Sequence, residues 1–143
     1  MVFFVNNGVL VYARDASEPK KQPRAAEWVQ RLWQERSGRL STQVLQEYYV
    51  VVTQKLAPGL PVERARADVR LLQAWQPIMT DNALLDEAWQ LEDRYQLSFW
   101  DALIVAAAIR SGAQYLLTED LQDGQEIDSV RALNPFAHAI ASL

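Results

Sequence analysis

Two acidic segments of the sequence stand beside apolar runs, where a carboxylate needs a partner. Asp101 opens the run 102–109, whose residues are all apolar, and Thr118, Glu119 and Asp120 close a second run at 115–117. A helix that is apolar on every side is buried, so a charge at its entrance must be paired, capped or bound to a cation. Carboxylates that converge from two segments suggest a metal site.

Two further polar positions can join them. Asn6 follows the apolar run 2–5, and Glu47 lies at the edge of the apolar stripe that contains Val44 and Val51. In parallel sheets, reactive groups gather beyond the carboxyl ends of the strands, where the strand order reverses. Four polar positions from four elements could therefore meet.

Each of these positions also has a structural explanation. Asp101 could complete a capping box at the start of its helix, and Glu47 could extend to water. Asp120 could belong to a turn before the Asp-Gly pair at 123–124. The segment 6–8 reads Asn-Asn-Gly between apolar runs, which is typical of a hairpin turn.

The elements that must position these residues are strands separated by helices. Strands are predicted at 2–5, 115–118 and 130–133, with weaker ones at Leu40 and 78–80, and helices at 23–36, 41–56, 61–75, 81–95 and 98–111. Such alternation implies right-handed crossovers. It predicts an α/β fold with a mostly parallel central sheet of about five strands, covered by helices on both faces.

Composition limits the class of protein. The 143 residues, half of them apolar, suffice for a single domain with its own core. The chain has no cysteine and no apolar run of about 18 residues, so we expect a soluble protein of the cytoplasm, with no membrane partner. A net charge of −4 argues against nucleic-acid binding by bulk electrostatics.

The charges are nevertheless unevenly distributed. Residues 1–40 contain seven Lys/Arg against four acids, whereas residues 81–128 contain two against eleven. An anionic polymer could lie against the first part while cations gather in the second. The alternative is that these charges only solvate helix faces.

Four segments resemble the motif regions of one family. They read FFVNNGVLVY (3–12), LSTQVLQE (40–47), LSFWDALI (97–104) and LLTEDLQDG (116–124). In order and spacing they resemble the PIN-domain nucleases and, within these, the VapC-type toxins of bacterial toxin–antitoxin pairs, over about residues 2–136. The resemblance implies a three-layer α/β/α sandwich in which the first strand turns into a helix, not a hairpin.

The resemblance also implies metal-dependent RNA cleavage. By position, Glu47, Asp101 and Asp120 look like acidic members of the site, Thr118 like the polar residue beside the last, and Asp123 like a possible outer ligand. Hard oxygen ligands suit Mg²⁺ or Mn²⁺. The implied partners are an RNA substrate, a cognate antitoxin and a second copy of the chain.

One position departs from the family pattern. The first strand normally ends in aspartate followed by Ser/Thr and Asn, whereas this chain has Asn6, Asn7 and Gly8. A carboxamide can offer a carbonyl oxygen to a cation, but it is neutral and cannot act as a base. Asn6 is therefore either an inactivating substitution or the mark of a site that binds metal weakly and cleaves poorly.

Three functions remain open from the sequence. The first is a Mg²⁺-dependent ribonuclease whose basic residues guide the RNA backbone; these residues are Arg14, Lys20, Lys21, Arg24, Arg31 and Arg39. The second is a PIN-fold module that binds RNA or an antitoxin peptide without catalysis. The third is a dimerising domain whose aromatic helix surface contains Trp28, Trp33, Tyr48 and Tyr49. The single histidine, His138, has no predicted partner and is expected to be structural or exposed.

Overall fold

Five short strands form one sheet in the computed structural model, which describes residues 1–140. The strands are β1 (Phe3–Val5), β2 (Gly38–Arg39), β3 (Tyr115–Leu117), β4 (Glu126–Ile127) and β5 (Val130–Leu133). The α-helices are α1 (Asn7–Arg14), α2 (Lys21–Glu35), α3 (Thr42–Val50), α4 (Val62–Leu72), α5 (Asn82–Tyr95) and α6 (Phe99–Arg110). A π-helical turn, Val51–Lys55, extends α3, and a 3-10 turn, Gln73–Trp75, extends α4.

The sheet has the order β2-β1-β3-β5-β4, and every pairing in it is parallel except that of β4 with β5. The chain moves from β1 to one side of the sheet and later returns to the other side, so the strand order reverses between β1 and β3. The predicted α/β fold with a mostly parallel sheet of five strands is confirmed. The carboxyl ends of β1 and β3 lie side by side, with Val5 opposite Leu117.

Side-chain caps fix where four helices begin. The Asn6 side chain accepts a hydrogen bond from the Asn7 N–H, and the side chains of Ser41, Asp81 and Ser98 accept from the backbone N–H three residues later. These caps satisfy backbone donors that have no partner within the helix. Three of them match the predicted helix starts.

The hairpin alternative for residues 6–8 is wrong. Both edges of β1 are occupied, by β2 and β3, so a following strand has no edge of β1 to pair with. The chain enters α1 instead, and Val9, Leu10 and Val11 are buried in the core. Packing against neighbouring elements therefore outweighs the local Asn-Gly turn signal.

Three smaller differences concern short elements. Sequence patterns did not predict β4, which forms a tight antiparallel hairpin with β5. The predicted strand at 78–80 is reduced to one bridge between Ile78 and Ser41. The predicted strand at Leu40 lies just before that residue, at β2. Elements of two or three residues carry too little periodicity to be recognised.

Helix α6 is buried in the core, as its apolar run 102–109 predicts. Seven of its residues are buried, from Ala102 to Ala108, and it packs against α5, β3 and β5. Among the described residues, no helix is long and apolar enough to cross a membrane. Trp28 and Tyr48 are also core residues, with 0% and 2% exposure, so they are not available for the aromatic interface considered above.

Candidate active site

Asn6, Thr118 and Asp120 meet where β1 and β3 end. The backbone N–H of Asn6 donates to the Leu117 carbonyl at 3.1 Å and continues the β-ladder by one residue. The Asn6 Nδ2 atom donates to Thr118 Oγ1 at 3.2 Å and to Asp120 Oδ2 at 3.1 Å. Thr118 Oγ1 also accepts from the Asp120 N–H at 3.0 Å, which holds the turn after β3. Two of these side chains are buried, those of Asn6 and Thr118.

The orientation of the Asn6 amide is determined by its surroundings. Its Oδ1 accepts from the Asn7 N–H at 2.8 Å, so the Nδ2 group must face Asp120. An aspartate in this place would set two carboxylates against each other, which is favourable only with a cation between them. The neutral amide removes that repulsion by donating a hydrogen bond.

Asp101 lies within electrostatic reach of Asp120. Partial burial raises the pKa of the Asp120 carboxyl, and the charges of Asp101 and Glu119 raise it further, while the hydrogen bond from Asn6 lowers it. The mutual repulsion expected for grouped carboxylates is therefore present between Asp101 and Asp120.

The Asp101 carboxylate is not used in the helix cap. Ser98 Oγ accepts the Asp101 N–H at 3.2 Å, which is one half of a capping box. The reciprocal bond from the Asp101 side chain is not formed, and within residues 1–140 no protein donor contacts this carboxylate. It is therefore available to a ligand.

Glu47 and Asp123 have other partners. Glu47 is partly buried and accepts a hydrogen bond from Gln43 Nε2 at 2.7 Å, one turn earlier on α3. Asp123 accepts from the Asn134 N–H at 2.8 Å and contacts His138 Nε2 at 2.8 Å. No group of three or more His, Asp or Glu side chains in residues 1–140 has an arrangement that could hold a metal ion.

His138 is structural and partly exposed, as expected, but it has a partner that the sequence did not predict. Its ring meets the Asp123 carboxylate, and the Asn134 N–H together with His138 holds the pKa of that carboxyl below its usual range. The two residues are 15 apart in sequence, a pairing that only the returning chain after β5 creates. Both brace the segment that follows β5.

The donor set fits a weakly held Mg²⁺ or Mn²⁺ ion. Asp101 and Asp120 supply hard oxygen ligands, and Mg²⁺ in proteins commonly takes one or two carboxylates, with waters and substrate phosphates completing its shell. The same residues do not fit an ion held by protein ligands alone, because the Asn6 Oδ1 atom already accepts a hydrogen bond from the Asn7 N–H at the start of α1.

The family model of the PIN domain matches residues 4–125. The chain belongs to the PIN domain family. The matched range includes the three residues that meet at the end of the sheet and Asp101 as well.

Several solved structures share the fold of this PIN domain at low sequence identity. A toxin–antitoxin complex from Klebsiella pneumoniae has 17% identity and a TM-score of 0.68, over 98% of this chain and 100% of that one. VapC20 of Mycobacterium tuberculosis, a toxin that cleaves the sarcin-ricin loop, has 22% identity and a TM-score of 0.65, over 90% and 98%. FitAB bound to a DNA fragment has 18% identity and a TM-score of 0.73, over 94% and 96%. No curated protein sequence matches the chain.

The basic residues predicted to guide RNA occupy different surroundings in the PIN domain. Lys21 is at the site, where its Nζ contacts Glu119 at 2.9 Å and lies 4.6 Å from the Tyr12 ring centre. The hydrogen bond to Glu119 raises the pKa of Lys21, so it stays charged. Arg24 donates to the His138 carbonyl at 2.9 Å, and Lys20 is exposed.

Arg14 faces a helix interface. It forms two hydrogen bonds with Asp68 on α4, at 3.0 and 2.7 Å, and Asp68 also accepts from the Tyr48 hydroxyl at 2.5 Å. Burial raises the pKa of Tyr48, and the acceptor Asp68 raises it further. Asp68 therefore joins α1, α3 and α4 through one carboxylate.

Asp68→Ala should destabilise the protein by about 2 kcal/mol, because the buried Tyr48 hydroxyl loses its acceptor and Arg14 loses its ion partner. The Arg14 side chain is 34% exposed, so solvent reduces its share of the loss. Urea denaturation measures the change. Asp86→Ala, the same substitution on the exposed surface of α5, is the control and should have little effect. Equal stability of the two variants would contradict a structural role for Asp68.

Proposed function

We propose that this PIN domain is a metal-dependent endoribonuclease and the toxin of a toxin–antitoxin pair, with activity weakened by Asn6. The observation that carries the proposal is the electrostatic repulsion between Asp101 on α6 and Asp120, which follows β3 at the reversal of strand order, together with an Asp101 carboxylate that no protein donor within residues 1–140 satisfies. Membership of the PIN family supports the reaction class. We propose the cytoplasm as the place of action.

Asp101 and Asp120 are the residues that would hold Mg²⁺ or Mn²⁺. When bound, the ion would supply Lewis-acid chemistry at the phosphodiester and make water more acidic. Thr118 keeps the Asp120 backbone and the Asn6 amide in place through its hydroxyl. Glu47 remains a proposed member of the site by its position in the family pattern, and Asp123 remains a proposed outer member.

Asn6 is the residue that weakens the proposed activity. Its amide holds one oxygen of Asp120 by a hydrogen bond, and it adds no negative charge. An ion must therefore compete with this bond for Asp120 and gains less electrostatic energy than from three carboxylates.

We propose an antitoxin as the protein partner. The support comes from two solved structures of the same fold. One is a toxin–antitoxin complex that matches 98% of this chain, and the other is FitAB bound to DNA, which matches 94%. A pocket of about 440 Å³ between α1, α2, α3 and α4 offers apolar walls at Val29, Trp33 and Leu71 above the Arg14–Asp68 pair. We assign this pocket to an apolar segment of the antitoxin. We also propose a homodimer, with its interface outside Trp28 and Tyr48.

Removal of the metal tests the proposed activity. The purified protein should cleave RNA when Mn²⁺ or Mg²⁺ is present, and EDTA should stop cleavage because Asp101 and Asp120 then hold no ion. Product lengths on a denaturing gel give the measurement, and excess Mn²⁺ added after EDTA should restore them. Cleavage at an unchanged rate in EDTA would refute the proposal.

One observation favours a second function, a PIN-fold module that binds RNA without cleaving it. The Asn6–Asp120 hydrogen bond occupies one oxygen of Asp120, and the neutral amide adds no charge that would attract an ion. This module would bind RNA equally well with and without metal, and would gain turnover only when residue 6 becomes an acid.

A further inference from the structure

Trp100 is an exposed aromatic side chain that immediately precedes Asp101 in the chain. It is 64% exposed, compared with 50% for Trp89 and 37% for Trp33, while Trp28 and Trp75 are buried. It lies in the first turn of α6, immediately before Asp101. Single exposed apolar residues are common on protein surfaces, so its position next to Asp101 is what requires an explanation.

The position of Trp100 is held by the core. Seven buried residues and the Ser98 cap hold helix α6, and with it its first turn, in place. The Trp100 ring meets Phe99 edge to face, with ring centres 5.1 Å apart and planes at 69°. Phe99 itself packs against the core. The indole is therefore presented to solvent on a rigid support.

We propose that Trp100 stacks on a base of single-stranded RNA next to the phosphodiester at Asp101 and Asp120, an inference that rests on the proposed ribonuclease function. Trp100 is then a substrate-positioning residue. Aromatic side chains bind unpaired bases by stacking, which tolerates different bases because each has a π-face.

One cation, Lys21, lies near the acidic residues of the site. Lys21 contacts Glu119, the residue before Asp120, and is itself held against the rings of Tyr12 and Phe136. Trp100 thus precedes Asp101 on α6, and the cation pairs with the residue before Asp120. A nucleotide bound there can place a phosphate at Lys21 and a base on Trp100.

RNA binding in EDTA separates stacking from catalysis. The probe is a labelled single-stranded RNA oligonucleotide, measured by fluorescence anisotropy with the full chain. Trp100→Ala should weaken binding by about 5-fold to 150-fold, the range for loss of one base–aromatic stack. Trp100→Phe should retain most of the affinity, and the matched control Trp89→Ala should retain all of it.

The salt dependence gives an independent readout. Trp100→Ala should leave the slope of log affinity against log salt unchanged, because no phosphate contact is lost. Lys21→Ala should make the slope less steep by about 1.

Abasic nucleotides, introduced one at a time, identify the base that stacks on Trp100. At one position, the missing base should weaken binding to the wild-type chain and should have no further effect on binding to Trp100→Ala.

Several outcomes would overturn the inference. If Trp100→Ala binds like the wild type, stacking is absent while the ribonuclease proposal stands. If no abasic position is coupled to Trp100, or if the variant changes only the oligomeric state in sedimentation, the indole contacts protein and not RNA. If no version of the chain binds RNA in EDTA, the inference fails, whereas the proposed function is decided separately by cleavage in Mn²⁺ or Mg²⁺.

Discussion

Asn6→Asp should raise RNA cleavage by on the order of 100-fold in kcat/KM, equivalent to roughly 2.7 kcal/mol of transition-state stabilisation. The backbone at residue 6 is fixed by the hydrogen bond to Leu117, so the new carboxylate takes the place of the amide facing Asp120. It adds a third carboxylate to Asp101 and Asp120, which strengthens the ion's attraction to the site. Cleavage in Mn²⁺ and calorimetric titration of the metal measure the gain.

The same substitution should make the metal-free protein less stable. The Nδ2 bonds to Thr118 and Asp120 are lost and two carboxylates then face each other, at a cost of about 1–3 kcal/mol. Saturating Mg²⁺ should recover about as much, since an ion that binds only the folded state stabilises it. Thermal unfolding with and without Mg²⁺ gives this measurement.

Asn7→Asp is the matched control for both effects. It makes the same chemical change one residue later, in the first turn of α1, where an acid is tolerated by the helix dipole. It should change neither cleavage nor the Mg²⁺ dependence of stability. If Asn6→Asp behaves like Asn7→Asp, residue 6 is not part of a metal site.

Asp101→Asn should lower cleavage by at least about 100-fold, because it removes one of the two carboxylates proposed to hold the ion. It should not destabilise the fold, since the cap at this helix uses the Asp101 N–H and not its side chain. Loss of one charge near Asp120 should instead stabilise the metal-free protein slightly. The measurements are single-turnover cleavage and urea denaturation, made in the chain as it stands and in Asn6→Asp.

Asp93→Asn provides the control for Asp101→Asn. Asp93 is an exposed aspartate on α5, and its neutralisation should leave cleavage unchanged. Full activity of Asp101→Asn in the Asn6→Asp background would exclude Asp101 from the reaction. Unfolding of that variant would indicate a structural role for the carboxylate.

The sequence predicted the meeting of Asn6 and Asp120 correctly because strand periodicity and the carboxyl-end rule are local and topological arguments. Both residues follow buried strands, and those strands are neighbours at the reversal of strand order. The direction of the Asn6 amide could not be predicted, because it depends on one hydrogen bond to Asn7. Without that bond the amide could equally present an oxygen to the site.

Pairings between residues far apart in the sequence could not be predicted, for a different reason. The contact of Asp123 with His138 requires the turn after β5, and that of Arg14 with Asp68 requires two helices to cross. Neither follows from spacing along the chain. The fold class was predictable because periodic helices and buried strands repeat their signal over many residues, whereas a single pair of side chains has no repeat.

The attachment of residue 6 to the sheet has a consequence for how activity can change in this protein. Its backbone is held by Leu117, so the fold does not depend on which of two isosteric side chains stands there. The codons for asparagine and aspartate differ by one base. A single nucleotide change could therefore convert a restrained site into a fully charged one, or reverse the change, without any rearrangement of the domain around it.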